Sequence, residues 1–111
     1  LSYTTNYVAA TPGWNTQTAN YTLVIGDASN IVEMNVGSAN TLTVPPHSSV
    51  AFAQKTTITI FNKGAGVCTI TAGAGVTLIS AGSKIAVPQY GAVTLTQTTT
   101  NDTWYLVGTL Q

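Results

Sequence analysis

Few side chains here can do acid–base, nucleophilic or metal chemistry. They are His47, Cys68, the carboxylates Asp27, Glu33 and Asp102, and the amines of Lys55, Lys63 and Lys84. His47 sits between Pro46 and Ser48 in a stretch with loop chemistry. A general base needs a neighbour that orients and tunes it, and each carboxylate is remote from His47 in sequence. Ser48 and Ser49 adjoin it, but adjacency in sequence does not make a nucleophile–base pair. The expectation is a solvated loop histidine. Glycoside hydrolysis needs two carboxylates flanking the bond, and no spacing here brings two together. One Cys and one His cannot fill a zinc site. A calcium site would rest on Asp27 and backbone carbonyls, without an acidic loop motif to support it. Gly64-Ala65-Gly66 and Gly73-Ala74-Gly75 resemble phosphate loops only superficially: neither opens a helix, and Lys63 precedes its glycines. Cys68 lies mid-strand with nothing nearby to lower its pKa, and so reads as a buried structural thiol. A lone cysteine allows no internal disulfide. The expectation is a non-enzyme with no cofactor and no metal.

Composition narrows the partners. The chain has 111 residues, enough for one domain with a modest core. Apolar residues make up 44%, which is ordinary; charged residues make up 5%, against about 25% in average domains. There is no arginine, and the formal net charge is zero. Nucleic-acid binding draws on many Lys and Arg contacts to phosphate, so it is excluded. Polybasic membrane docking fails for the same reason, and no apolar run approaches a membrane span. A surface dressed in Thr, Asn, Gln and Ser, with no net charge, favours association with neighbours.

The elements that must position these residues are short and β-type. Thr57-Ile58-Thr59-Ile60, Val67-Cys68-Thr69-Ile70-Thr71 and Val76-Thr77-Leu78-Ile79 alternate Thr with apolar residues, giving each run two unlike faces. The two Gly-Ala-Gly segments between them read as hairpin turns, which predicts an antiparallel meander at the centre of the fold. They stand nine residues apart in similar settings, but two copies are too few for a solenoid. Further strands are predicted at Tyr21–Ile25, Ile31–Met34 and Thr41–Val44, the last stopped by Pro45-Pro46. Ile85–Val87, stopped by Pro88, Val93–Thr96 and Trp104–Val107 follow, with a polar hairpin loop over Thr98–Asp102. Val32 pairs in parity with Met34, Leu42 with Val44, and Trp104 with Leu106. No window has a helical apolar period. The fold class is all-β: a small antiparallel β-sandwich or barrel, jelly-roll-like, over residues 21–111.

Residues 1–20 differ. They are polar, with irregularly spaced aromatics and a turn signal at Thr11-Pro12-Gly13-Trp14. They read as an extended N-terminal arm that either docks on a partner or folds back over its own domain. Tyr and Trp supply large contact area at low entropic cost, which makes Tyr3, Tyr7 and Trp14, with Leu1, the candidate partner or subunit contacts. An aromatic sugar platform from Trp14, Tyr90, Trp104 and Tyr105 is the competing use. Against it, strand aromatics usually pack: Trp104 in the core, Tyr105 on the outer face or in an interface.

From Tyr21 to Gly108 the chain resembles a small β-domain that recurs in structural proteins of tailed bacteriophages. The resemblance is carried by Tyr21-Thr22-Leu23, Val32-Glu33-Met34-Asn35, Asn40-Thr41-Leu42-Thr43-Val44-Pro45-Pro46 and Ser48-Ser49-Val50-Ala51-Phe52. It continues through Gly64-Ala65-Gly66-Val67, Ala72-Gly73-Ala74-Gly75-Val76-Thr77-Leu78, Ser80-Ala81-Gly82-Ser83-Lys84 and Trp104 to Gly108. It implies a virion structural protein, a decoration or cement protein on the capsid exterior. The partners would be the major capsid protein and further copies of the chain, as a homodimer or homotrimer. The alternative it implies is a receptor- or glycan-binding module at the tip of a head fibre or tail fibre. It brings no catalytic motif.

Overall fold

A computed structural model describes residues 11–111. Ten strands follow one another: β1 (Trp14–Gln17), β2 (Tyr21–Thr22), β3 (Ile31–Met34), β4 (Asn40–Val44), β5 (Thr57–Asn62), β6 (Cys68–Ala72), β7 (Thr77–Ile79), β8 (Ala86–Val87), β9 (Ala92–Gln97) and β10 (Thr103–Gly108). Two 3₁₀ turns, Ile25–Asp27 and Ala81–Ser83, complete the described elements. The all-β class holds. The strands form two sheets, one ordered β1-β3-β5-β9-β10-β7 and one ordered β2-β4-β6-β8.

The pairing is not the antiparallel arrangement that the sequence suggests. β1, β3 and β5 stack in parallel, with Trp14 beside Ile31 and Ile31 beside Thr59. β2, β4 and β6 do the same in the second sheet, with Tyr21 beside Leu42 and Leu42 beside Ile70. The chain therefore coils. Each turn contributes one strand to each sheet and then climbs to the next turn. Only the C-terminal part reverses direction: β9 runs antiparallel to both β5 and β10, and β8 antiparallel to β6. β7 is parallel to β10 at the far edge.

The Gly-Ala-Gly segments are corners of this coil, not hairpin turns. The strands on either side of each belong to different sheets. Residues 63–66 turn the chain from β5 to β6, directly against the corner that joins β3 to β4. Gly66 N–H donates to Val36 C=O at 3.0 Å, and Lys63 N–H to Met34 C=O at 2.8 Å. A β-carbon on Gly64 would collide with the Val36 backbone, and one on Gly66 with that of Ser38. Glycine is needed there for close approach of two chains. The nearby Asn62 side chain points inward and donates to Gly66 C=O and Val87 C=O, both at 2.9 Å. That buried amide ties the corner to the second sheet, and a satisfied buried donor stabilises by about 1 kcal/mol.

Thr alternation sets the two faces as expected. In β4, Leu42 and Val44 are buried and Thr41 and Thr43 half-buried; in β9, Val93 and Leu95 are buried and Thr94 and Thr96 half-buried. The core between the sheets joins Val32, Met34, Ile58 and Ile60 of one to Leu42, Val44, Cys68 and Ile70 of the other. Phe52 enters from the loop after Pro45-Pro46 and meets Trp104 edge-on, with ring centroids 5.5 Å apart. Trp104 is 1% exposed, so it belongs to the core and not to any platform. The Thr98–Asp102 loop joins the β9–β10 hairpin, as expected.

Two boundaries change. The run Tyr21–Ile25 is strand only over Tyr21–Thr22, because Val24 opens the 3₁₀ turn at Ile25–Asp27 and both Val24 and Ile25 face outward. The arm assigned to residues 1–20 gives up its C-terminal part: Trp14–Gln17 is the edge strand of the larger sheet, and Asn20 Oδ1 accepts from Thr41 N–H at 3.0 Å. Leu1, Tyr3 and Tyr7 lie outside the described residues.

Candidate functional site

The groups capable of catalysis are dispersed. His47 anchors its loop through its backbone N–H, which donates to Asp102 Oδ1 at 2.7 Å. Its side chain is half-buried, and Nδ1 meets no partner among the described residues. Asp102 thus comes close to His47 in space, but as a loop staple and not as a partner of the imidazole. Cys68 is buried, and burial pushes its thiol up to about 11. Among the described residues no three His, Cys, Asp or Glu side chains gather into a metal-binding group, and no helix is long and apolar enough to cross a membrane.

Asp27 is 3% exposed and sits in a polar network in the first turn of the coil. Tyr21 Oη donates to Asp27 Oδ2 at 2.6 Å and Val24 N–H to the same oxygen at 2.9 Å; Asn15 Nδ2 donates to Oδ1 at 3.0 Å. Asn15 Nδ2 also reaches Tyr21 Oη, and Gln17 Nε2 donates to Asn15 Oδ1. Burial, then the hydrogen bond to Asp27 and its charge, push the Tyr21 phenol up to about 12. The role of the network is structural: in β1, Asn15 and Gln17 occupy the registers of Val32 and Met34, so polar residues close the apolar core at its first turn.

The outer face of the larger sheet carries exposed aromatic and apolar side chains. Trp14, 58% exposed, lies on Phe61 across β3, with centroids 5.7 Å apart and planes 23° from parallel. Ile79, Tyr105 and Val107 are also exposed on this sheet. Between them stand Thr16, Thr59, Thr94 and Thr96. The charged residue in these strands is Glu33, whose Oε1 accepts from Thr16 Oγ1 at 2.9 Å. Its aromatics are Trp14, Phe61 and Tyr105, and its one charge is that of Glu33.

Beside Phe61 the face dips into a depression of about 230 Å³ lined by Glu33, Phe61, Asn62, Lys63, Tyr90 and Gly91. Tyr90 stands at its rim with 81% of its surface exposed. Its φ is 65°, in the left-handed region, at a cost of about 1–2 kcal/mol for a residue bearing a β-carbon. Tyr90 N–H donates to Asn62 C=O at 2.6 Å, and Gly91 N–H to Pro88 C=O at 2.9 Å. The ring gains little from burial to offset that cost. A larger depression of about 420 Å³, bordered by Ala81, Lys84, Leu106 and Leu110, offers one ammonium and otherwise small or apolar groups.

Of the aromatics singled out in sequence, Trp14, Tyr90 and Tyr105 do face outward, and Trp104 does not. Sequence reasoning missed Phe61 and Glu33 as companions of Trp14. Strand parity alone puts Glu33 and Phe61 outward, but only parallel stacking brings Trp14 alongside. Comparison with protein-family models, curated proteins and solved structures returns no match to this chain.

Proposed function

We propose that this chain is a structural protein of a tailed-bacteriophage virion, a decoration (cement) protein on the capsid exterior that stabilises contacts between capsomers. The observation that carries the reading is exposed Trp14 stacked on half-buried Phe61, on a sheet face whose strands carry one charged residue, Glu33. Exposed aromatics grouped on one face mark contact surfaces, and Trp and Tyr dominate the energetics of such contacts. The near absence of charge excludes electrostatic capture, so adhesion rests on shape and apolar area. A coil with its turns hydrogen-bonded to one another is a stiff body suited to bridging. Repetition over a shell lets weak single contacts add to a firm hold.

The partners in this reading are the major capsid protein and other copies of the chain, as a homodimer or homotrimer. Leu1, Tyr3 and Tyr7 add to the contact begun by Trp14 in this reading.

Co-sedimentation with purified capsid shells tests the reading. Deleting residues 1–20 is unsuitable, because it removes β1 and the Asn15 amide from the Asp27 network. The informative variants are deletion of residues 1–10 and Trp14→Ala. The intact chain co-sediments with shells, and each variant loses most of that binding while staying folded. An intact chain that remains in the supernatant rejects the reading.

A further inference from the structure

Tyr90 is a bulky residue held at φ 65° with its ring in solvent. Such outliers persist only where the surroundings fix them, and they cluster at binding sites. The surroundings here do fix it. Asn62 C=O accepts Tyr90 N–H, Asn62 N–H donates to Gly91 C=O, and Gln89 Nε2 donates to Lys63 C=O at 3.3 Å. The turn is thus laced to the end of β5, and Tyr90 and Phe61 border one depression. We propose that this depression binds a single ring of a neutral pyranose sugar.

Four features select that class. Two aromatic side chains border the site, which suits the C–H face of a sugar ring. Glu33 supplies an acceptor and Lys63 donors, so hydroxyl groups find both kinds of partner. Their charges are opposite, and no arginine exists in the chain, so neither a phosphate nor a strongly cationic ligand is favoured. The volume, about 230 Å³, lies below the about 300–1,000 Å³ typical of larger ligands. Glu33 is pre-oriented by Thr16 Oγ1 on Oε1, which leaves Oε2 for a hydroxyl. The site does not depend on the decoration reading.

The test is titration of the isotope-labelled full chain with the methyl glycosides of glucose, galactose and N-acetylglucosamine, following backbone amides by NMR. At least one glycoside produces saturable shifts at Lys63, Tyr90 and Gly91. Tyr90→Asn, which tolerates the left-handed backbone, keeps the fold and abolishes those shifts. Glu33→Gln weakens binding by roughly tenfold, the loss of one charge-assisted hydrogen bond. Absence of saturable shifts with all three glycosides overturns the proposal, as does unchanged binding by Tyr90→Asn. Shell co-sedimentation by Tyr90→Asn separates the two readings. Retained shell binding with lost sugar binding is expected; lost shell binding without any sugar response makes the depression a protein contact and overturns the sugar site.

Discussion

Trp14 lies on Phe61 although β3 runs between their strands, with 5.7 Å between ring centroids. The stack fastens the edge strand β1 to the centre of the sheet on its outer face, while the Asn15 network does so on the inner face. Phe61→Ala removes the stack and is expected to cost about 1 kcal/mol. Trp14 emission should move to longer wavelength while buried Trp104 is unaffected. An unchanged emission spectrum would show that the rings do not stack in solution.

The corner-on-corner contact predicts a pair of opposite outcomes. Gly66→Ala places a methyl group into the Ser38 backbone and is expected to lower unfolding stability by about 2 kcal/mol or more. Gly37→Ala, in the neighbouring corner, meets nothing within 4 Å and should stay within about 0.5 kcal/mol of the parent. Urea titration of both separates a stacked coil from a hairpin, in which neither glycine would face another chain.

How much of this was legible in the sequence follows from what alternation can encode. Alternation along the strands grouped the residues that face inward in β3, β4, β9 and β10, and Pro45 and Pro88 marked strand ends. Parity carries no information on the direction of the neighbouring strand, however, so the parallel stacking was invisible. The coil also hides its own repeat. The turn from Trp14 to Ile31 is short, while the turn from Ile31 to Thr59 is lengthened by the Pro45–Ala53 excursion that delivers Phe52 to the core. No fixed period survives such an insertion. Gly64 and Gly66 looked like turn residues because glycine serves both tight reversals and close approach, and only the partner chain tells them apart. The depression could not be found at all, since it needs β3, β5 and the Pro88–Gly91 turn brought side by side.

Tyr21 makes stability depend on alkaline pH. Its phenol titrates near 10 when unfolded and is pushed up to about 12 in the fold, so the folded state holds the proton more tightly. Its contribution is therefore whole below pH 10 and is lost as pH rises through about 12. Tyr21→Phe should lower stability at neutral pH by about 1–2 kcal/mol, since Asp27 loses a donor. The variant should also show a shallower fall between neutral pH and strong alkali. A parallel fall in both proteins would mean that the phenol is not held by Asp27.

Cys68, buried and with its thiol pushed up to about 11, should resist a thiol-reactive dye in the native state at neutral pH. Full labelling is expected only in denaturant. Rapid native labelling would contradict the packing of β6 against the core.

Shell binding, if adhesive and not electrostatic, should hardly change from low to high salt, because six charges that sum to zero leave little for ions to screen. A steep loss of co-sedimentation with added salt would point to a contact dominated by charge and would contradict adhesion through shape and apolar area.

The most direct measurement is a cryo-electron microscopy reconstruction of tailed-bacteriophage capsid shells mixed with this chain. The account predicts repeated copies on the outside of the head, each with the Trp14–Phe61 face of its larger sheet turned toward a capsomer. Particles whose heads lack the chain, or hold it with that face turned to solvent, would contradict it.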